Sequence, residues 1–220
     1  MKIVKAGYEI LDELDGQAIL KKIERVARVC YKSEDRITDG SAEKMVRSLI
    51  KSGHDAMLEH YSFSVLFTVD RGVSHEIVRH RIASYAMEST RYVNYSKKDG
   101  ITVIAPDALK LEEKRLIYVD SYDSWYKAML EAEEYYLKMI CRGCSPQEAR
   151  SVLPTSTKTE LVMTTNLREW RHFFKLRAIG TTGNPHPQIM EVTIPLLREC
   201  KEKIPVVFDD LVEKGGEANV

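Results

Sequence analysis

The chain has no excess charge of either sign: lysine plus arginine and aspartate plus glutamate both number 33 across 220 residues. Proteins that work on the nucleic-acid backbone carry a basic surplus, so this balance argues against a nucleic-acid partner. Apolar runs long enough to span a bilayer are missing, and Met1-Lys2-Ile3-Val4-Lys5 is not followed by the apolar stretch of a secretory leader. The expectation is a cytoplasmic protein with no membrane partner. Cysteine is scarce, and Cys30, Cys141, Cys144 and Cys200 are read as reduced thiols. Cys141-Arg142-Gly143-Cys144 has redox or zinc spacing, but no second such pair accompanies it. Gly143 is read instead as a helix cap, with Ser145-Pro146-Gln147-Glu148 opening the next helix. His54 and His60 have no third ligand nearby, so no metal is expected. Both glycine-rich phosphate fingerprints, G-x-G-x-x-G and G-x-x-x-x-G-K-[ST], are missing too. Repeats, low-complexity tracts and linkers are lacking, so residues 1–220 are expected to form a single domain.

Hydrophobic periodicity supplies the elements that are there. Residues 2–9 alternate loosely, as a strand would. Helical spacing runs from Gln17 to Tyr31 and from an N-cap at Ser41 to a left-handed C-cap at Gly53. Strict alternation over Tyr61–Val69 puts Phe63, Val65, Phe67 and Val69 on one face; Thr157–Thr165 does the same with Thr159, Leu161, Met163 and Thr165. Asp70-Arg71-Gly72 is expected to turn into a helix over Val73–Arg81, leaving Ile82–Tyr92 as a loop. Ile101–Ile104 is a short strand, and Lys110–Ile140 a long helix with Trp125, Met129, Tyr136 and Met139 inward. Asn166 caps a helix that packs Trp170, Phe173, Phe174 and Leu176, with Arg171 and Lys175 on a solvated face. A last long helix covers Ile189–Glu202, a short one begins at Ile204, and the charged tail from Glu213 is read as frayed. Helices alternating with antiparallel-looking strands indicate an α+β fold, an antiparallel sheet flanked by helices.

The densest chemistry lies in Arg79-His80-Arg81-Ile82-Ala83-Ser84-Tyr85-Ala86-Met87-Glu88-Ser89-Thr90-Arg91-Tyr92. Arginine forks match phosphate oxygens, hydroxyls add neutral donors, and tyrosine offers a ring face. That mixture suits a phosphorylated, ring-bearing small molecule.

Arg79-His80-Arg81, seven residues, then Ser89-Thr90-Arg91 resembles the signature of the flavin-dependent thymidylate synthases. Further matches are Ala27–Ser33, Gly53-His54 with Glu59-His60, Arg150, and Asn166-x-Arg168 with Leu176-Arg177, in the family's order from Val26 to Gln188. Ala86-Met87 departs from the Ser-Gln or Asn-Glu pair usual there. The resemblance implies a fold of the thymidylate synthase complementing-protein type. It implies methylation of dUMP to dTMP with FAD as cofactor, methylenetetrahydrofolate as carbon donor and NADPH as reductant, in a homotetramer whose sites draw on several subunits. FAD would be held by Cys30, His54, Glu59, Arg79, His80, Arg81, Ile82, Asn166, Arg168 and His172. The dUMP set would be Glu76, Arg79, Met87, Glu88, Ser89, Thr90, Arg91, Arg150 and Arg177, with Arg177 at the pyrimidine as the catalytic group. No cysteine has the Pro-Cys-His context of the folate-only thymidylate synthases, so a route without an enzyme thiolate is expected. Two alternatives stay open: another FAD-dependent enzyme acting on a pyrimidine nucleotide, for which the Ala86-Met87 departure speaks, and a non-catalytic nucleic-acid module.

Overall fold

A computed structural model describes residues 1–106 and 119–212. The start of the expected helix at Lys110 and the tail from Glu213 lie outside the described residues. The described residues fall into two compact units built from interleaved stretches: those within Met1–Gly7, Phe67–Arg79 and Tyr85–Val162 make the first, those within Tyr8–Leu66, His80–Ser84 and Met163–Val220 the second.

Two sheets are present among the described residues. Strands β1 (Lys2–Val4) and β5 (Thr102–Ile104) form a two-stranded parallel sheet, with Ile3 opposite Val103. The other sheet has the order β2-β3-β6-β4, from Gly7–Ile10, Ser62–Asp70, Lys158–Asn166 and Ser84–Met87. Leu167 N–H donates to the Tyr61 carbonyl, and the Thr164 hydroxyl to Ser64 Oγ. Positions rise on one strand as they fall on the other, which is antiparallel pairing. The expected inward faces hold: Phe63, Val65, Phe67 and Val69 are buried, as are Thr159, Leu161, Met163 and Thr165. The single strand expected over 2–9 is instead two short ones serving different sheets, because Lys5 and Ala6 leave the extended ladder.

In the first unit, α3 (Arg71–Ile77) starts directly after β3, where Asp70 Oδ1 accepts from Val73 N–H. The expected turn at 70–72 is thus a cap, and the helix stops at Ile77 rather than Arg81. Tyr95, Ile101, Val103, Met129, Tyr136 and Ala149 form this unit's core, with Trp125 and Met139 packed against it. Met129 and Tyr136 come from α4 (Val119–Cys141). Gly143, at φ 93°, closes α4 with bonds from its own N–H to Ile140 and from Cys144 N–H to Met139. Ser145 then opens α5 (Pro146–Ala149) with Pro146 in its first turn and a capping box to Glu148. The C-x-x-C is therefore a helix end, and all four cysteines are free thiols.

In the second unit, α1 (Gly16–Val29) carries the buried Ile19, Leu20 and Ile23. Gly40, at φ 74°, is the N-cap of α2 (Ser41–Lys51), a place expected for Ser41. The Ser41 hydroxyl is used elsewhere, donating to Glu24 Oε2 at 2.9 Å. Gly53 ends α2 in the left-handed conformation as expected. Asn166 Oδ1 accepts from Glu169 N–H and starts α6 (Leu167–Phe174), whose Trp170 stacks on Phe63 with ring centroids 4.8 Å apart. Each large apolar side chain buried completely, as Phe63, Trp170, Phe173 and Phe174 are, contributes about 1.5–3 kcal/mol over exposure. Helix α7 (Pro187–Lys203) begins at a His186 cap. Among the described residues no helix follows Ile204: residues 205–207 turn instead, with Val206 at φ 76°, while Val206, Val207 and Phe208 stay buried.

Candidate functional site

Asparagine at the cap of α6 decides what that helix presents. Capping at Asn166 puts Glu169 in the first turn and His172 one turn on, a spacing that brings side chains together. The helix does not end cleanly. Lys175–Ile179 widens into a π turn, closed by Gly180 at φ 73°. A Cβ on Gly180 would lie 2.6 Å from the Gly183 carbonyl oxygen, so this turn admits glycine alone. Arg177 projects from the π turn, a distortion common at functional sites. Its carbonyl is bound by the Thr193 hydroxyl of α7 at 2.8 Å.

The centre of the arrangement is His80. Its Nδ1 lies 3.0 Å from Glu169 Oε1, and Arg177 Nε donates to its Nε2 at 3.3 Å. The edges of His172 and Phe173 approach the same ring, at centroid distances of 5.6 and 4.9 Å. His80 and Glu169 are both buried. Burial above all lowers the His80 pKa from its ordinary 6.5; Glu169 pulls the other way, while Arg177 and His172 push in the same direction as burial. The imidazole is therefore neutral at pH 7. Ligand atoms of His80, Glu169 and His172 lie within 4.8 Å of one another. A divalent ion there would sit beside the Arg177 guanidinium, whose charge opposes it.

Two clefts open beside this network, both within the second unit. One, of about 440 Å³, is bordered by Glu59, Ile82, Asn166, Arg168, His172 and Lys175. The other, of about 370 Å³, is bordered by Cys30, His54, Ala56, Met57 and Arg168. Asp55 and Arg168 border both. Arg168 Nη1 meets Glu59 Oε1 at 2.5 Å, with both side chains about half exposed. Arg171 borders the larger cleft but is engaged elsewhere. It is buried rather than solvated, forming a two-pronged pair with Asp210 at 2.7 Å on each oxygen. Burial works against ionisation of Asp210, but the Arg171 bond and charge outweigh it and hold the carboxyl below its usual range.

Of the residues implied for flavin, Cys30, His54, Glu59, Ile82, Asn166, Arg168 and His172 border these clefts, and His80 lies in the network beside them. Arg81 is exposed in the same unit, and Arg79 belongs to the first unit. Sequence reasoning missed Asp55, Lys175 and Glu169. Glu169 had a readable signal, the Asn166-x-x-Glu169-x-x-His172 spacing.

The residues implied for dUMP, Arg177 excepted, fall in the first unit. Ala86-Met87 closes β4, a strand where a loop was expected, with the Glu88 N–H donating to the Glu160 carbonyl. Glu88 is half-buried and engaged, accepting from the Tyr95 hydroxyl and from Lys158 Nζ, each at 3.0 Å. Burial foremost, with Glu88 second, pushes the Tyr95 phenol far up, so it remains a donor. Ser89 Oγ accepts from Arg91 N–H at 3.3 Å, and Arg91 Nε donates to Gln147 of α5 at 2.8 Å. Arg150 lies three residues after Gln147, so Arg91 and Arg150 are brought to one short helix. Thr90 is buried, whereas Met87, Arg79, Arg91 and Arg150 are exposed. Glu76 lies in the last turn of α3, and Arg79 just beyond it donates its N–H to the Glu76 carbonyl.

Comparison with known proteins adds the following. The family model for thymidylate synthase complementing protein matches residues 11–206. A flavin-dependent thymidylate synthase of Pyrococcus furiosus is 35% identical over 78% of this chain and 67% of its own length. That of Mycolicibacterium vanbaalenii is 34% identical over 90% of this chain and 81% of its own. The crystal structure of a UMP/dUMP methylase, PolB from Streptomyces cacaoi, bound with 5-Br dUMP, superposes with a TM-score of 0.80 at 25% identity, covering 94% of this chain and 95% of that one.

Proposed function

This chain belongs to the flavin-dependent thymidylate synthase family, and from that premise we propose that it methylates dUMP to dTMP with FAD, methylenetetrahydrofolate and NADPH. The observation that carries the reading is the His80–Glu169–Arg177 network beside two clefts that both reach Arg168.

The second unit fits FAD on its own terms. A dinucleotide is two ring systems joined by a diphosphate, and here two clefts meet at one half-exposed guanidinium. Arg168 would take the diphosphate oxygens, sharing or releasing Glu59. Asn166, His172 and Lys175 would donate around one part of the ligand, and His54 with Ala56 and Met57 around the other. When bound, FAD supplies hydride transfer between NADPH and the one-carbon unit. Every other task falls to the chain. Arg177 would face the pyrimidine and stabilise negative charge developing on the ring, as preorganised cations do elsewhere. Ser89, Thr90, Arg91 and Arg150 would hold the phosphate, with Arg79 and Glu76 reaching the rest of the nucleotide. No thiolate is required. Burial, with Glu199 adding to it, pushes the Cys200 thiol far up, so it stays protonated.

We further propose that residues 1–220 work as one domain, since the family match runs unbroken through both units, and that the active form is a homotetramer. A second reading, methylation of UMP as well as dUMP, is favoured by the likeness to PolB, a UMP/dUMP methylase. Purified protein should be yellow, release FAD on denaturation, and convert dUMP when all co-substrates are added. Colourless protein inert toward both nucleotides rejects the proposal.

A further inference from the structure

His80 has a partner on each ring nitrogen, and the chemistry of those partners fixes its state. The Glu169 carboxylate, which is acceptor-only when ionised, lies 3.0 Å from Nδ1, so Nδ1 carries the proton. Nε2 is then a lone pair, and the Arg177 Nε–H points at it from 3.3 Å. The opposite tautomer would set a lone pair against the carboxylate and an N–H against the guanidinium. An imidazolium would add a second positive charge beside Arg177, with His172 nearby. Glu169 itself is placed by the Asn166 cap, and the Arg177 backbone by the π turn and Thr193.

We propose that Glu169 and His80 are positioning residues: Glu169 holds His80 in its Nδ1–H form, and His80 aims the Arg177 guanidinium through its Nε edge. His80 therefore serves the pyrimidine end of the site rather than the flavin through its ring nitrogens. This rests on the reading above, in which Arg177 acts on the nucleotide. A guanidinium on a long chain has many rotamers, and a second anchor near its head removes most of them before substrate arrives.

The test is a double-mutant cycle on flavin-loaded enzyme, read as single-turnover conversion of dUMP. Glu169→Gln should keep its FAD and lose about tenfold or more in rate, because the amide can bond either tautomer. Added to Arg177→Ala, the same change should cost less than about twofold, since a residue that acts only through Arg177 has nothing left to position. Losses that multiply would overturn the proposal. Should Glu169→Gln not fold, imidazole ¹⁵N resonances of the flavin-loaded wild-type protein decide, with His80 assigned by difference from His80→Gln. A neutral ring protonated on Nδ1 at pH 7 is expected; the Nε2–H form or an imidazolium overturns it. Wild-type protein that binds FAD but converts neither dUMP nor UMP would instead refute the functional reading, leaving the tautomer result to stand on its own.

Discussion

The two units hold their candidate residues in different ways. In the second unit three of them are bonded to one another around a buried pair: His80, between Glu169 and the part-buried Arg177, with Asn166 capping the helix that carries Glu169. In the first unit the cations are exposed: Arg79 just beyond α3, Arg91 on a loop and Arg150 at the end of a four-residue helix. There the Arg91 guanidinium meets two neutral groups, the Gln147 amide and the Tyr92 ring. The difference follows from the proposed tasks. Charge developing on a pyrimidine ring is stabilised best by a group fixed beforehand, because reorganisation costs rate. A phosphate already carries its charge and can be gathered by long, exposed arginines. The rigid set should therefore govern chemistry, and the exposed set binding.

The sharpest way to break that comparison is Arg177→Ala. Removing one preorganised cation should lower single-turnover conversion by about a hundredfold or more, with FAD retained. Arg177→Lys should restore only part of the loss, because a point charge does not reproduce the fork. A near-normal Arg177→Ala enzyme would leave the buried network without a catalytic purpose.

An effect on stability should follow from the same network. The folded protein holds the His80 pKa below 6.5. As pH falls from that value toward the lowered one, the unfolded chain takes up a proton that the folded chain refuses. Stability is fully present above 6.5 and declines through this window. Thermal melts should show the wild type losing more midpoint between about pH 7 and pH 5 than His80→Gln, which has no proton to gain. Parallel curves would show that His80 is not held neutral.

Smaller effects are expected in the exposed set. Met87 is part exposed at the end of β4. If its side chain touches the nucleotide, Met87→Gln should tighten dUMP binding by a few-fold, about 1 kcal/mol for one added hydrogen bond. Unchanged affinity in a titration assigns that position to backbone alone. Smallest of all should be the loss of every thiol. With Cys30, Cys141, Cys144 and Cys200 replaced by Ser or Ala, activity should stay within about tenfold, roughly 1.4 kcal/mol in barrier. Its folding must be verified first, since Cys200 is buried.

Much of this was legible in the sequence where a local rule decides. Alternation placed both long strands, and Asn166, Gly53, Gly143 and Ser145 marked helix ends that the structure keeps. The failures have one cause, which is partners distant in sequence. Arg171 looks solvated on its own helix, but its pair is Asp210, on a segment whose expected helix does not form. Ser41 resembles a cap, yet its hydroxyl serves Glu24. Helix α3 stops early, so that His80 leaves the helix and meets Glu169, eighty-nine positions on. No local pattern encodes that meeting.

The division of labour between the units is tested most directly by exchanging one arginine in each. Arg168→Ala and Arg91→Ala are exposed substitutions that should leave the fold intact. Dissociation constants for FAD and for dUMP are then measured on both variants, the latter with FAD saturating. Arg168→Ala should weaken FAD by about tenfold or more and leave dUMP unchanged, while Arg91→Ala should do the reverse, as expected for charge-assisted contacts to two separate phosphate groups. Equal losses of both ligands in both variants, or the opposite pairing, would contradict the account.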